Sequence, residues 1–240
     1  MKNSLLVIFI TILVVGCTNT SIESKIDKSK ESILIDTNNY SELIVLYKEQ
    51  LRNREDHDTR VNLAEAYSHI GDYESSLFVI SKLTNIESSS RALFIQCDAL
   101  FELGEIDKSE KCLLKVLELD KGNAEVENQL GIIYSYMGNV EKSKYYFKLA
   151  RANFIDDIKI KNNLAMLFII DGKFEQAVDL LLPIYLSERS NEKVRANLIF
   201  SLIKSDKEKM AEKILLNNYT QSEVKLIIEN IQRSETLTVN

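Results

Sequence analysis

The sequence predicts an all-α protein: a solenoid of stacked antiparallel helix hairpins with a C-terminal capping helix. Three observations predict it. The 240 residues include only seven Gly and one Pro, too few breakers for strands joined by tight turns. Four of those glycines, Gly71, Gly104, Gly138 and Gly172, lie 33, 34 and 34 residues apart, and a fixed period of this length marks a repeat array. Around each glycine, small and large side chains recur at helical spacing.

Seven residues before the turn stand Ala64, Cys97, Gly131, Ala165 and Ile199; four before it stand Tyr67, Leu100, Tyr134, Phe168 and Leu202. Five after it stand Ser76, Ser109, Ser143, Ala177 and Ala211; nine after it stand Ile80, Leu113, Phe147, Leu181 and Leu215. Small residues on facing sides let two helix axes approach, and large apolar residues fill the space beside them. The period extended in both directions reaches Asn38 and Asp206. Both residue types tolerate the left-handed backbone that such a turn requires.

The elements follow in chain order. Residues 1–16 read as a signal peptide: Lys2 is a positive start, Leu5–Val15 is an apolar run, and Gly16 is a small residue at its end. The run is too short to cross a bilayer, which takes about 20 apolar residues. Residues 17–37, polar and rich in Ser and Lys, read as a tether, with a frayed helix near Ser32–Ile35. The repeats then fill residues 38–232. They comprise a lone second helix at 39–53 and hairpins at 57–89, 90–123, 124–157, 158–191 and 192–219. The capping helix lies in "SEVKLIIENIQRS", with Val224, Ile227 and Ile228 on one stripe. Pro183 should kink or shorten the second helix of the fourth hairpin. Residues 233–240 read as a disordered tail.

Composition narrows function. Apolar content is 45 %, charged content 28 % and net charge −6, a soluble composition without the clustered cations that phosphate backbones attract. Only two histidines occur, His57 and His69; His69 is placed on the inner face of the first hairpin. Ligand clusters of metal-site spacing are absent, and the glycines are used in hairpin turns instead of a phosphate loop. The expectation is therefore a protein that is not an enzyme and takes neither a metal nor a small-molecule substrate. Cys97 and Cys112 share one hairpin and could pair in an oxidising compartment. Their positions favour a buried free thiol at Cys97 and an outward-facing Cys112.

Two resemblances add to this reading. "VVGC", Val14–Cys17, resembles a bacterial lipobox, which implies lipidation of Cys17 and no other bound group. Thr18 after that cysteine implies the outer membrane of a Gram-negative cell, facing the periplasm. Multiple acyl chains make such anchoring stable. "VNLAEAYSHIGDYESSLFVI", "NQLGIIYSYMGNVEKSKYYFKLA" and "NNLAMLFIIDGKFEQAVDLLLPI" resemble tetratricopeptide repeats. The chain departs from that pattern in lacking a repeat-closing proline and in carrying Gln96 where Leu is usual.

The repeat resemblance implies a concave partner-binding groove on the first helices of the hairpins. By position it comprises Glu65, His69, Asp98, Phe101, Glu102, Asn128, Ile132, Tyr136, Lys159, Asn162, Met166, Ile170, Lys193, Phe200 and Lys204. Its early part is acidic, and its late part is apolar with lysines at the edge. Val61 and Glu65 stand where a carboxylate clamp would need Lys and Asn, so binding of a chaperone tail is not implied.

The stretches Asn162–Tyr185 and Val194–Leu215 are similar to the TadD family of tight-adherence (Flp-type) pilus lipoproteins. That resemblance implies an adaptor whose partners are a secretin or other pilus-assembly proteins, held at the membrane by its lipid and binding no nucleic acid. The alternative within the same architecture is another envelope scaffold, such as a type IV pilus secretin pilotin or an outer-membrane protein assembly factor.

Overall fold

The computed structural model describes residues 28–187 and 190–234. Residues 1–27, with the apolar leader and Cys17, and residues 235–240 of the expected tail lie outside the described residues. Among the described residues, thirteen helices contain nearly all the regular structure. They are α1 (residues 28–36), α2 (Tyr40–Asn53), α3 (His57–His69), α4 (Tyr73–Ile80), α5 (Ser90–Glu102), α6 (Ile106–Leu119) and α7 (Ala124–Tyr136). Then come α8 (Val140–Ala152), α9 (Asp157–Ile170), α10 (Phe174–Leu186), α11 (Glu192–Lys204), α12 (Glu208–Leu215) and α13 (Gln221–Arg233). A 3-10 turn, Ile86–Ser88, is the one other regular piece among them, and no described residue is in a strand. The helices fall into two compact units, one ending at Ile86 and one beginning at Glu87.

Every hairpin turns in the same way. Asn38, Gly71, Gly104, Gly138, Gly172 and Asp206 all have positive φ, between 53° and 80°. At each, the residue's amide donates to the carbonyl three residues back. The next amide donates to the carbonyl five back, at 2.7–3.3 Å in total range. This ending satisfies carbonyls that the helix leaves unpaired. Asn38 and Asp206 therefore hold the turn conformation expected of them. Starts are set by side chains: Asn39, Asp56, Asp72, Ser89, Asn123, Asn139, Asp156, Asn191 and Thr220 each accept an amide bond from the first turn of the following helix.

The seam follows the expected pattern. Ser76, Ser109, Ser143, Ala177 and Ala211 are fully buried, as are Ala64, Cys97 and Ala165. In two hairpins the seam serine bonds to its opposite number: Ser109 Oγ donates to the Cys97 carbonyl and Ser143 Oγ to the Gly131 carbonyl, each at 2.7 Å. A hydroxyl at this contact is thus satisfied without water. Beside the seam, Ile80, Leu113, Phe147 and Leu181 are at most 1 % exposed; each such side chain stabilises by about 1.5–3 kcal/mol.

In the second unit each core cluster spans the junction between neighbouring hairpins. Leu113 and Val116 of α6 share a cluster with Val126, Leu130 and Ile133 of α7. Ala165 and Ile169 of α9 share one with residues of α10, α11, α12 and Val224 of α13. The cap stripe is present: Val224 is buried, and Ile227 and Ile228 pack partly buried against that cluster.

Four expectations need correction. The tether does not run to residue 37, because residues 28–36 are helical with Leu34 buried. Glu31 of α1 accepts the Tyr47 hydroxyl at 2.8 Å, and α1 is joined to α2 by the recurring turn at Asn38. Helix α2 is therefore the second helix of a hairpin, not a lone one. Of the two outcomes expected at Pro183, a kink or a shorter helix, shortening does not occur, since α10 continues to Leu186. Proline has no amide to donate to the Asp179 carbonyl, and both residues lie on the exposed side of the helix. Finally, Cys97 is not a free thiol and Cys112 does not face outward. Their sulfurs form a disulfide across α5 and α6, with Cα atoms 5.4 Å apart, and Cys112 is only 9 % exposed. Cys112 sits eight residues after its turn, where Val79 and Ile214 are also buried, so the position faces the core.

Candidate functional site

An apolar cleft in the second unit opens between two first helices. Ile132, Ser135 and Tyr136 of α7 and Asn163, Met166 and Ile170 of α9 line it, with Phe147 of α8. Its volume is about 340 Å³, room for one large side chain or a short apolar segment.

The local sequence explains why the cleft is here. Phe147 occupies the large position that Leu113 and Leu181 hold in the neighbouring hairpins. Its ring fits because the facing small position is Gly131: a Cβ there would lie 2.5 Å from two ring carbons. Tyr136 stands 64 % exposed at the rim, with Phe101 of α5 edge-on to it at 5.4 Å. Met166, 37 % exposed, adds a polarizable side chain that adapts to shape.

Polar bonds hold the first helices in register beside the cleft. Asn163 Nδ2 donates to Asn128 Oδ1 at 2.8 Å, and Asn197 Nδ2 to Asn162 Oδ1 at 2.9 Å. Lys159 pairs with Glu125 at 2.6 Å. Three of the expected groove residues, Asn128, Asn162 and Lys159, thus bind the neighbouring repeat.

Of the other expected residues, Ile132, Tyr136, Met166 and Ile170 converge on the cleft, and Phe101 touches its rim. Asp98 is half-buried, while Glu102 and Lys193 are exposed on their helices. Phe200 packs edge-on against Phe174 at 6.2 Å. Lys204 donates to the carbonyls of Gln232 and Ser234, so it closes the end of α13. Within the first unit Glu65 is half-buried. His69 is exposed and stacks on Tyr40 with ring centroids 4.1 Å apart. Ser135, Asn163 and Phe147 were absent from the expected groove. A glycine facing a phenylalanine across the seam, Gly131 against Phe147, is the sequence signal from which the last could have been found.

A second polar cluster lies on α6, α7 and α8. The Tyr134 hydroxyl donates to Glu110 at 2.6 Å, Tyr146 stacks on its ring and Lys142 Nζ sits 4.5 Å above it. Burial, then the Glu110 bond and charge, push the Tyr134 phenol well above its usual range, so it stays a neutral donor. Among the described residues, no group of three or more His, Cys, Asp or Glu is placed to hold a metal ion.

The arrangement is that of a repeat scaffold with an apolar recess on its first-helix face. Comparison with known proteins agrees on the architecture. Residues 91–123 match the tetratricopeptide-repeat family. No curated protein matches the sequence. Among solved structures, the Cut9–Hcn1 hetero-tetramer of the APC/C is similar at a TM-score of 0.68 and 18 % identity, over 84 % of this chain and 41 % of that one. This chain thus spans about two fifths of that structure's chain. The tetratricopeptide protein TTC0263 of Thermus thermophilus aligns at a TM-score of 0.63 and 17 % identity, over 75 % of this chain and 98 % of that one. Pseudomonas aeruginosa PilF aligns at 0.59 and 18 %, over 71 % and 80 %. At these identities the likeness is one of fold. The fold is the tetratricopeptide-repeat solenoid.

Proposed function

We propose that this chain is an outer-membrane lipoprotein that acts as a non-catalytic, protein-binding adaptor in tight-adherence pilus assembly, aiding localisation or assembly of the secretin. The observation that carries the binding reading is the α7–α9 cleft. It is an apolar recess with an aromatic rim and a polar edge, suited to an apolar anchor on an extended or helical partner segment. Support for the anchoring comes from the leader and the "VVGC" tetrapeptide. Support for the pathway comes from the similarity of Asn162–Tyr185 and Val194–Leu215 to the TadD family. The adaptor acts stoichiometrically: lipid fixes its place, the cleft holds a segment of the partner, and no bond is broken.

The test is photocrosslinking in intact cells from an unnatural side chain at Tyr136 or Met166, with exposed Lys148 on α8 as the control position. The expected product is an adduct with a secretin from the two cleft positions only. In a deletion strain, secretin multimers should fall. Normal multimers and normal pili in that strain would dispose of the pilus role, and capture of an outer-membrane assembly factor would redirect it. Cys17→Ala should abolish acylation; radioactive palmitate incorporated as in the parent would refute the lipobox reading.

A further inference from the structure

The second hairpin of the described array after α1–α2, formed by α5 and α6, lacks a contact that its neighbours have. Eight residues before the turn, Leu63, Leu130 and Leu198 are at most 3 % exposed and Leu164 packs against the core. The equivalent residue of this hairpin is Gln96, half-buried. The hairpin also carries the one disulfide among the described residues, Cys97–Cys112. Cys97 follows Gln96 directly, and Cys97 and Cys112 both belong to the cluster that joins α5 and α6 to α7.

We propose that this disulfide takes the place of the missing leucine contact, so that α5 and α6 close fully only after oxidation and the chain matures outside a reducing compartment. Oxidation removes one proton and one electron from each thiol and joins the two sulfurs. The electrons pass to a disulfide-bearing oxidant of the thiol–disulfide exchange class, which leaves as a dithiol. Cys97 is fully buried and Cys112 nearly so, so exchange takes place while the seam is open, and closure then shields the bond from reductant. The proposal is independent of which partner fills the cleft.

Peptide mapping of the exported full-length chain without reductant should recover residues 97 and 112 in one linked peptide. Protein unfolded, reduced and refolded in dithiothreitol should lose protection against hydrogen exchange at α5 and α6 amides. The expected loss is on the order of a hundredfold, as for opening a loop of about 15 residues, with α10 and α11 little changed. Gln96→Leu should restore much of that protection in the reduced protein. Cys97→Ala combined with Cys112→Val, the residues found at positions 64 and 79, should behave like the reduced chain. Free thiols at both positions in the exported protein, or exchange at α5 and α6 that ignores reduction, would overturn the proposal. So would Gln96→Leu leaving the reduced hairpin as unprotected as before.

Discussion

Two backbone positions show how little separates a tolerated residue from a costly one. Gly131 lies in a helix, where alanine would ordinarily gain about 1 kcal/mol. Here the added methyl would sit 2.5 Å from the Phe147 ring, so this buried ring, 1 % exposed, must shift to admit it. Overpacking of that kind costs about 1–3 kcal/mol, so Gly131→Ala should lower the denaturant midpoint. Phe154 is the opposite case. It is 96 % exposed and held at φ 69°, a conformation that costs a non-glycine residue about 1–2 kcal/mol. Phe154→Gly should remove that strain, against roughly 0.4–1 kcal/mol of added unfolded-state entropy, for a small net gain in melting temperature.

At the scale of the element, a helix start carries part of the pH dependence. Asp56 caps α3, and its carboxyl is held below the ordinary 3.8 first by the Thr59 amide and then by the Thr59 hydroxyl. A depressed carboxylate stabilises the fold fully above the unfolded value, and that contribution disappears as pH falls through the lower folded value. Acid below about pH 3.8 should therefore weaken the parent more than Asp56→Asn, which keeps a capping oxygen without a charge. Urea titrations at pH 3 and pH 7 measure the difference. Asp56→Ala should cost about 1 kcal/mol at pH 7.

Elements of this kind were legible in the sequence because turn and seam recur. Six turn positions and the fully buried seam serines and alanines were all readable from one period. Helix α1 was legible only as a frayed turn near Ser32–Ile35: "KSKESILID" has the polar composition of a linker, and the contacts that extend it, buried Leu34 and Glu31 accepting from Tyr47 of α2 and Asn62 of α3, require other helices to be in place. The disulfide was hidden for a related reason. Cys112 looks outward only when its helix is taken alone; the repeat position it shares with Val79 and Ile214 faces in.

For the whole molecule, the groove residues expected from the sequence lie on first helices but do not gather in one place. Among the residues expected to meet a partner, Asn128, Lys159 and Asn162 join one repeat to the next, Lys204 closes the last helix, and Ile132, Tyr136, Met166 and Ile170 surround a single recess. Side-chain direction along a helix decides between these roles, and it depends on neighbours that a period alone does not supply. The partner-binding prediction therefore narrows to that recess. Tyr136→Ala with Met166→Ala should abolish co-purification of the secretin from cells while leaving the melting temperature within a few degrees of the parent, since both side chains are exposed.

The fit of Phe147 against Gly131 also sets the grain at which such a gene can change length. Excising 34 codons from turn to turn, residues 104–137, would fuse α5 to α8 and set Cys97 against that ring, a mismatched joint. Excising residues 124–157 instead removes both complementary halves together and leaves every surviving seam pair with its original mate, at the loss of the Glu125–Lys159 and Asn128–Asn163 contacts between hairpins. Duplication or loss by recombination should therefore be viable in whole hairpins and lethal to the fold when the crossover falls at the glycine, although the period of the sequence is the same in both frames.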